Sequence, residues 1–159
     1  MMDQWRLSDN VAISANTTTG IYSNWERNDN NFAQIGSGMT ESSGVFTFPS
    51  TGIYRVDCRW SVFATNSNNR YVSIRTELST DGGSNYNQIA VTFTNIPNLG
   101  ETLDHATSDF VVDVTNASNF KIRTVASSSQ AFTFAGNGWA GVNANVQINS
   151  MTFMKLGET

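Results

Sequence analysis

The segment from Ile53 to Phe63 alternates with a period of two: Tyr54, Val56, Cys58, Trp60 and Val62 are interleaved with Arg55, Asp57, Arg59 and Ser61. Successive side chains of a β-strand leave on opposite faces, so this stretch must bury one wall and turn a polar wall outward. Tyr71 to Ser79 repeats the device, with Val72, Ile74, Thr76 and Leu78 on one side and Ser73, Arg75, Glu77 and Ser79 on the other. Shorter strands are expected at Val11 to Ser14, Gly44 to Phe48, Gln88 to Thr94, Asp109 to Thr115, Phe120 to Val125, Ala131 to Phe134, Val142 to Ile148 and Met151 to Leu156. Gly, Asn, Asp, Ser and Pro fill the intervals, and Thr17 to Thr40 reads as short edge strands plus loop. Strands recurring at about 10-residue intervals without helical periodicity predict an all-β, antiparallel sandwich, and about ten of them suit a jelly roll.

Composition agrees with that reading. Asn, Ser and Thr make up roughly a third of the 159 residues, and their side chains compete for backbone hydrogen bonds and disfavour helix interiors. A chain of this length forms about one domain. Residues 11 to 159 are assigned to a single jelly-roll domain and residues 1 to 10 to an N-terminal attachment arm, in which Trp5 and Leu7 are apolar residues of a polar tail and suggest a partner surface.

The net charge of -4 and pI near 4.7 argue against nucleic acid as a partner, because a phosphate backbone selects a clustered basic surface. The opening residues Met1 to Arg6 lack the pattern of a secretion signal, and no run approaches the ~20 apolar residues of a membrane span. Synthesis in a cytoplasm, with no membrane partner, is therefore expected. The single cysteine forbids an internal disulfide.

Candidate chemistry is sparse. His105, the one histidine, lies in the polar segment Gly100 to Ser108 and reads as a loop residue with no nucleophile or orienting partner marked by a motif. Cys58 sits on the apolar wall of its strand and reads as a small inert hydrophobe. One cysteine and one histidine cannot build a zinc site, and no acidic spacing supports calcium, although loop oxygens leave calcium open. No catalytic residue, metal ligand or cofactor is assigned. Ser79-Thr80-Asp81-Gly82-Gly83-Ser84-Asn85-Tyr86 resembles the Asp-box hairpin of sialidase propellers, but it occurs once and is a turn device: Asp81 can cap the turn's amides while Gly82 and Gly83 take positive φ. It is expected to join the strand ending at Ser79 to the one beginning near Gln88. Trp139, beside Asn137 and Asn143, could stack on a sugar face, but its favoured reading is a plug at one end of the sandwich, since partly buried Trp is the common state. Asn16-Thr17-Thr18 and Asn116-Ala117-Ser118 match the glycosylation acceptor pattern by chance.

The run Gly44-Val45-Phe46-Thr47-Phe48-Pro49-Ser50-Thr51-Gly52-Ile53-Tyr54 resembles the Gly-x-Phe-x-x-Pro-x-x-Gly-x-Tyr signature of the tumour necrosis factor and complement globular-head superfamily. Ser150 to Leu156 is similar to that family's closing strand, and Asp109 to Val125 to its last hairpin. The resemblance implies a ten-stranded jelly roll that forms homotrimers and binds macromolecules without catalysis. Similar domains occur in phage and virus particles, which implies a structural protein at a virion surface, decorating a capsid or attaching to a host. The partners so implied are two further copies, a capsid or other virion protein, and a host-surface glycan or protein. The alternative reading is a carbohydrate- or receptor-binding module with Asn137, Trp139 and Asn143 as sugar contacts. In the implied fold the strands at Ile53 to Phe63, Asp109 to Thr115 and Met151 to Leu156 share the sheet that faces the threefold axis. The trimer interface is then expected to hold Arg55, Asp57 and Arg59 opposite Asp109, Val111 and Asp113, with apolar contact from Met151 and Phe153.

Overall fold

The computed structural model describes residues 1–28, 34–65, 67–98, 100–136 and 147–159. Within them the chain forms strands β1 (Met2–Leu7), β2 (Val11–Ile13), β3 (Thr18–Gly20), β4 (Trp25–Arg27), β5 (Gln34–Ile35), β6 (Thr40–Ser42), β7 (Val45–Thr47), β8 (Gly52–Thr65), β9 (Asn69–Ser79), β10 (Asn87–Ile96), β11 (Glu101–Val114), β12 (Lys121–Ser128), β13 (Phe132–Phe134) and β14 (Ser150–Gly157). They make two antiparallel sheets. The first, of eight strands, runs β2-β13-β8-β14-β1-β4, with β11 also paired to β8 and β5 to β1. The second, of six, runs β10-β9-β12-β7-β6, with β3 also paired to β12. This is a jelly-roll sandwich, as the strand pattern predicts.

Alternation decides which walls meet. On β8, Tyr54, Val56, Cys58, Trp60 and Val62 are buried, while Arg55 and Arg59 are exposed. On β9, Val72, Ile74 and Thr76 are buried against them. Aromatic rings fill the space between the sheets in edge-to-face pairs: Trp25 on Phe46 at 5.2 Å, Trp25 on Trp60 at 6.2 Å and Trp60 on Phe134 at 5.6 Å. Such pairs add to the area their rings already remove from water. The run from Gly44 to Tyr54 forms the corner between β7 and β8. Gly44 holds φ 76°, and a Cβ there would collide with the Ile21 carbonyl oxygen, so both backbone conformation and space demand glycine. Tyr54 closes the corner by donating its hydroxyl to the Ser50 carbonyl at 3.0 Å, with Phe46 and Phe48 buried beside it.

Three expectations need correction. Residues 1 to 10 do not form an arm: β1 is paired on both sides, to β14 and to β4 and β5, and Trp5 and Leu7 are buried. What makes the polar tail a strand is the fully buried Asp3. Its carboxylate accepts from Trp5 Nε1 at 3.0 Å, from Arg27 Nε and Nη2 at 3.0 and 3.2 Å, and from the Met39 amide at 2.7 Å. Next, the polar segment holding His105 is strand: β11 starts at Glu101 and pairs with β8 along its whole length. Its polar residues are tolerated because one face of an antiparallel sheet stays outside the core. Last, Met151 and Phe153 lie in the core, because their register partners Cys58 and Val56 belong to the buried wall of β8. The Val142 to Ile148 strand lies, as far as residue 146, outside the described residues, as do Asn137, Trp139 and Asn143.

Candidate assembly face

Strand register lays the outer wall of the eight-stranded sheet out in cross-strand rows, since directly paired residues share a face. One row runs Ile35, Met2, Met154, Arg55, Val111 across β5, β1, β14, β8 and β11. The next runs Gln4, Thr152, Asp57, Asp109, and a third Arg6, Ser150, Arg59, Thr107. The first row is largely apolar and open at both ends, with Ile35 60% and Val111 61% exposed. The other two are polar, and all of their residues but Arg6 line a concavity of about 480 Å³ together with Met2, Arg55 and Met154 of the first row.

The charges are partly satisfied within the chain. Asp57 and Asp109 are directly paired, a like-charge juxtaposition that costs energy on a sheet. Arg55 offsets it by lying between them, Nε 2.9 Å from Asp57 Oδ1 and Nη2 3.6 Å from Asp109 Oδ2. The buried Arg6 pairs with Glu26. Arg59, by contrast, makes no ion pair or hydrogen bond among the described residues, and neither does Asp113 at the other end of the sheet face.

The residues expected on this wall from β8 and β11, namely Arg55, Asp57, Arg59, Val111 and Asp113, are brought together on it. Met151 and Phe153 are not, and Thr152 and Met154, the opposite parity of β14, take their place. Sequence reasoning also missed Met2, Gln4 and Ile35. The signal for the first two was local, because Asp3 and Trp5 alternate with Met2 and Gln4. Placing them required knowing that β1 lies beside β14, which is set by contacts about 150 residues apart in sequence.

Other reactive groups are occupied. His105 Nδ1 lies 2.8 Å from the hydroxyl of Ser61, a partner the sequence had not suggested. Ser61 is itself buried, and its hydroxyl also faces the Ile148 carbonyl at 3.4 Å. Among the described residues no carboxylate accepts from the imidazole ring, so the pair lacks the third group that would orient a general base. Burial pushes the Cys58 thiol up to about 12, which leaves it protonated near neutral pH. The Ser79 to Tyr86 segment is a hairpin turn between β9 and β10, with Gly82 and Gly83 at φ 78° and 100°. Hydrogen bonds from Asn85 N, Asn85 Nδ2 and Ser79 Oγ hold the Asp81 carboxyl down to about 2. No group of three or more His, Cys, Asp or Glu side chains able to hold a metal occurs among the described residues.

No protein-family model matches the chain, and no curated protein sequence matches it. Solved structures do. The Eiger TNF of S. frugiperda superposes with a TM-score of 0.72 at 9% identity, over 100% of this chain and 94% of that one. Murine APRIL crystallised at pH 8.5 gives 0.59 at 11% identity, over 98% of each chain, and the same protein at pH 5.0 gives 0.55 at 12% identity, over 92% of this chain and 98% of that one. The fold is therefore that of a tumour necrosis factor-type jelly roll, in agreement with the resemblance carried by Gly44 to Tyr54.

Proposed function

We propose that this TNF-type jelly roll is a non-enzymatic assembly domain, that three copies close into a ring through the outer wall of the eight-stranded sheet, and that the trimer works at the surface of a virus or phage particle. The observation that carries the reading is the composition of that wall: an apolar row open at both ends beside a concavity in which Arg59 has no partner among the described residues. A monomer gains nothing from exposing Ile35 and Val111 next to a guanidinium that no described residue pairs. A neighbouring copy can cover the apolar row and supply a carboxylate, and Asp113, which has no partner among the described residues, is one on the same wall. Arginine suits such a contact because its planar fork grips a carboxylate with two parallel hydrogen bonds. A contact between unlike patches generates a closed ring when its rotation closes. The particle setting is supported by the absence of any need for disulfides. The lone thiol is buried, so the domain can fold in a reducing cytoplasm, where particles are built.

Size-exclusion chromatography with light scattering tests the assembly. The wild type should run at three times the 17.4 kDa chain mass. Arg59→Glu should dissociate it, because breaking a buried pair costs about 3 to 5 kcal/mol, against ~0 to 1 for an exposed one. A monomeric wild type, or an unchanged Arg59→Glu trimer, would sink the interface.

A further inference from the structure

The outer wall of the six-stranded sheet, on the opposite side of the sandwich from the assembly face, carries a second set of exposed groups. Register places Phe93 beside Ser73 and Ser73 beside Ser127, and in the neighbouring row Val91 beside Arg75, Arg75 beside Val125 and Val125 beside Gly20. Tyr71, two residues before Ser73 on β9, shares that face. Gly20 has no side chain, and the ring of Tyr22 folds back into the space its Cβ would fill, so Tyr22 lies on the same wall. Phe93, Tyr22 and Tyr71 are 65%, 52% and 46% exposed. Phe93 and Tyr22 stand three strand spacings apart, about 14 Å.

Between those aromatic ends lies a cation without a counter-charge. Arg75 donates Nη2 to the hydroxyls of Thr18 at 3.1 Å and Ser127 at 3.4 Å, and no carboxylate pairs with it among the described residues. Its Nε is buried with no hydrogen-bond partner. A buried donor left unmade costs free energy that a ligand acceptor can recover. The neighbouring charges of the wall, Glu77 and Arg123, are spent on each other at 2.7 Å, with Tyr86 under the Arg123 guanidinium at 3.8 Å. In these two rows Arg75 is the cation with no ion pair among the described residues, and the one with a buried, unbonded nitrogen.

We propose that this wall binds an acidic oligosaccharide. The carboxylate of a sialic or uronic acid residue takes the Arg75 fork, and the C–H faces of adjoining sugar rings stack on Phe93 with Tyr71 at one end and on Tyr22 at the other. The hydroxyls of Ser127 and Thr18, released from Arg75, are left to bond sugar hydroxyls. Flat aromatic surface beside a few fixed polar groups is the recognition chemistry of a ligand with one apolar and one polar aspect. The anionic character follows from charge: a neutral sugar would leave the guanidinium uncompensated. The site does not depend on the trimer, and it is distinct from the sugar contacts expected at Asn137, Trp139 and Asn143.

Isothermal titration of the whole chain with sialyllactose and with a glucuronate-terminated trisaccharide tests it, against lactose and a poly-glutamate peptide. The acidic sugars should bind, and lactose should bind roughly tenfold or more weakly, as should either acidic sugar to Arg75→Gln, which loses a charge-assisted contact. Tyr22→Ala, at an exposed ring, provides a second variant that leaves the core untouched and should also lose affinity. Four results overturn the proposal: neither acidic sugar binds the wild type; the peptide binds as tightly as the sugars; Arg75→Gln binds unchanged; or Phe93→Ala lowers the mass seen by light scattering, which would assign the strip to contact between copies.

Discussion

Asp3 and Asp81 do the same chemistry in opposite surroundings. Each carboxylate gathers donors from several residues: Asp3 from Trp5, Arg27 and the Met39 amide, Asp81 from Ser79 and from the amide and side chain of Asn85. Asp3 is fully buried and its partners reach 24 and 36 residues along the chain, whereas the partners of Asp81 lie within four residues in an exposed turn. The buried site ties β1, β4 and the segment before β6 into one unit. The exposed site shapes one hairpin. The four hydrogen bonds at Asp3 and the three at Asp81 thus differ in weight by more than their number, because water competes for the second set and not for the first.

Breaking the comparison at its strong end should produce the largest effect. Asp3→Ala strands the Arg27 guanidinium and leaves the Trp5 and Met39 donors unmet, so urea denaturation should show a loss of about 3 to 5 kcal/mol. Hydrogen exchange should show β1 amides opening ahead of those of β8. A loss under about 1 kcal/mol would mean that Asp3 is as replaceable as a surface carboxylate.

Trp5→Phe sharpens the comparison from within the same site. It keeps an aromatic ring against Phe46, 5.4 Å away, and removes the one donor, Nε1, that Trp5 gives Asp3. Arg27 stacks on the same ring at 4.5 Å, a contact a smaller ring weakens. With three donors left on Asp3, the expected cost is about 1 to 3 kcal/mol by the same denaturation measurement. A cost equal to that of Asp3→Ala would show that the indole, and not the carboxylate, organises the site.

The same contrast explains which parts of the molecule were legible in the sequence. The Asp81 turn was readable because all its determinants sit within one short window, as do the period-two strands β8 and β9 and the two glycines of the corner before Tyr54. The role of Asp3 was not, since nothing near Met2 announces an arginine and an amide from distant strands. For that reason β1 read as a polar tail. The face residues of β8 and β11 followed from alternation, but the parity of β14 is set by its register against β8, with Met151 facing Cys58, and sequence pattern alone left Met151 and Phe153 on the wrong side. His105 was mistaken for a loop residue for a related reason: a strand with one solvent-facing wall can carry so many polar residues that its apolar wall, here Phe110, Val112 and Val114, shows as a run only in its second half.

The weakest perturbation is at Asp81, and it is best seen through pH. The hydrogen bonds from the Asn85 amide, the Asn85 side chain and Ser79 favour the ionised form and lower its pKa to about 2, below the ordinary carboxylate value near 4. The folded state therefore binds the Asp81 proton less tightly than the unfolded chain does. Its contribution to stability is present above about pH 4 and is lost as pH falls through the folded pKa near 2. Asp81→Asn keeps the shape and removes the titration. At neutral pH the variant should melt slightly below the wild type, because an amide replaces one carboxylate oxygen with a donor. Between about pH 4 and 2 the wild type should lose its advantage, so that the two melting curves converge in acid while staying parallel above that window. A difference in melting temperature that stays constant across the acid range would show that the turn does not prefer the charged carboxylate, and the contrast with Asp3 would then rest on burial alone.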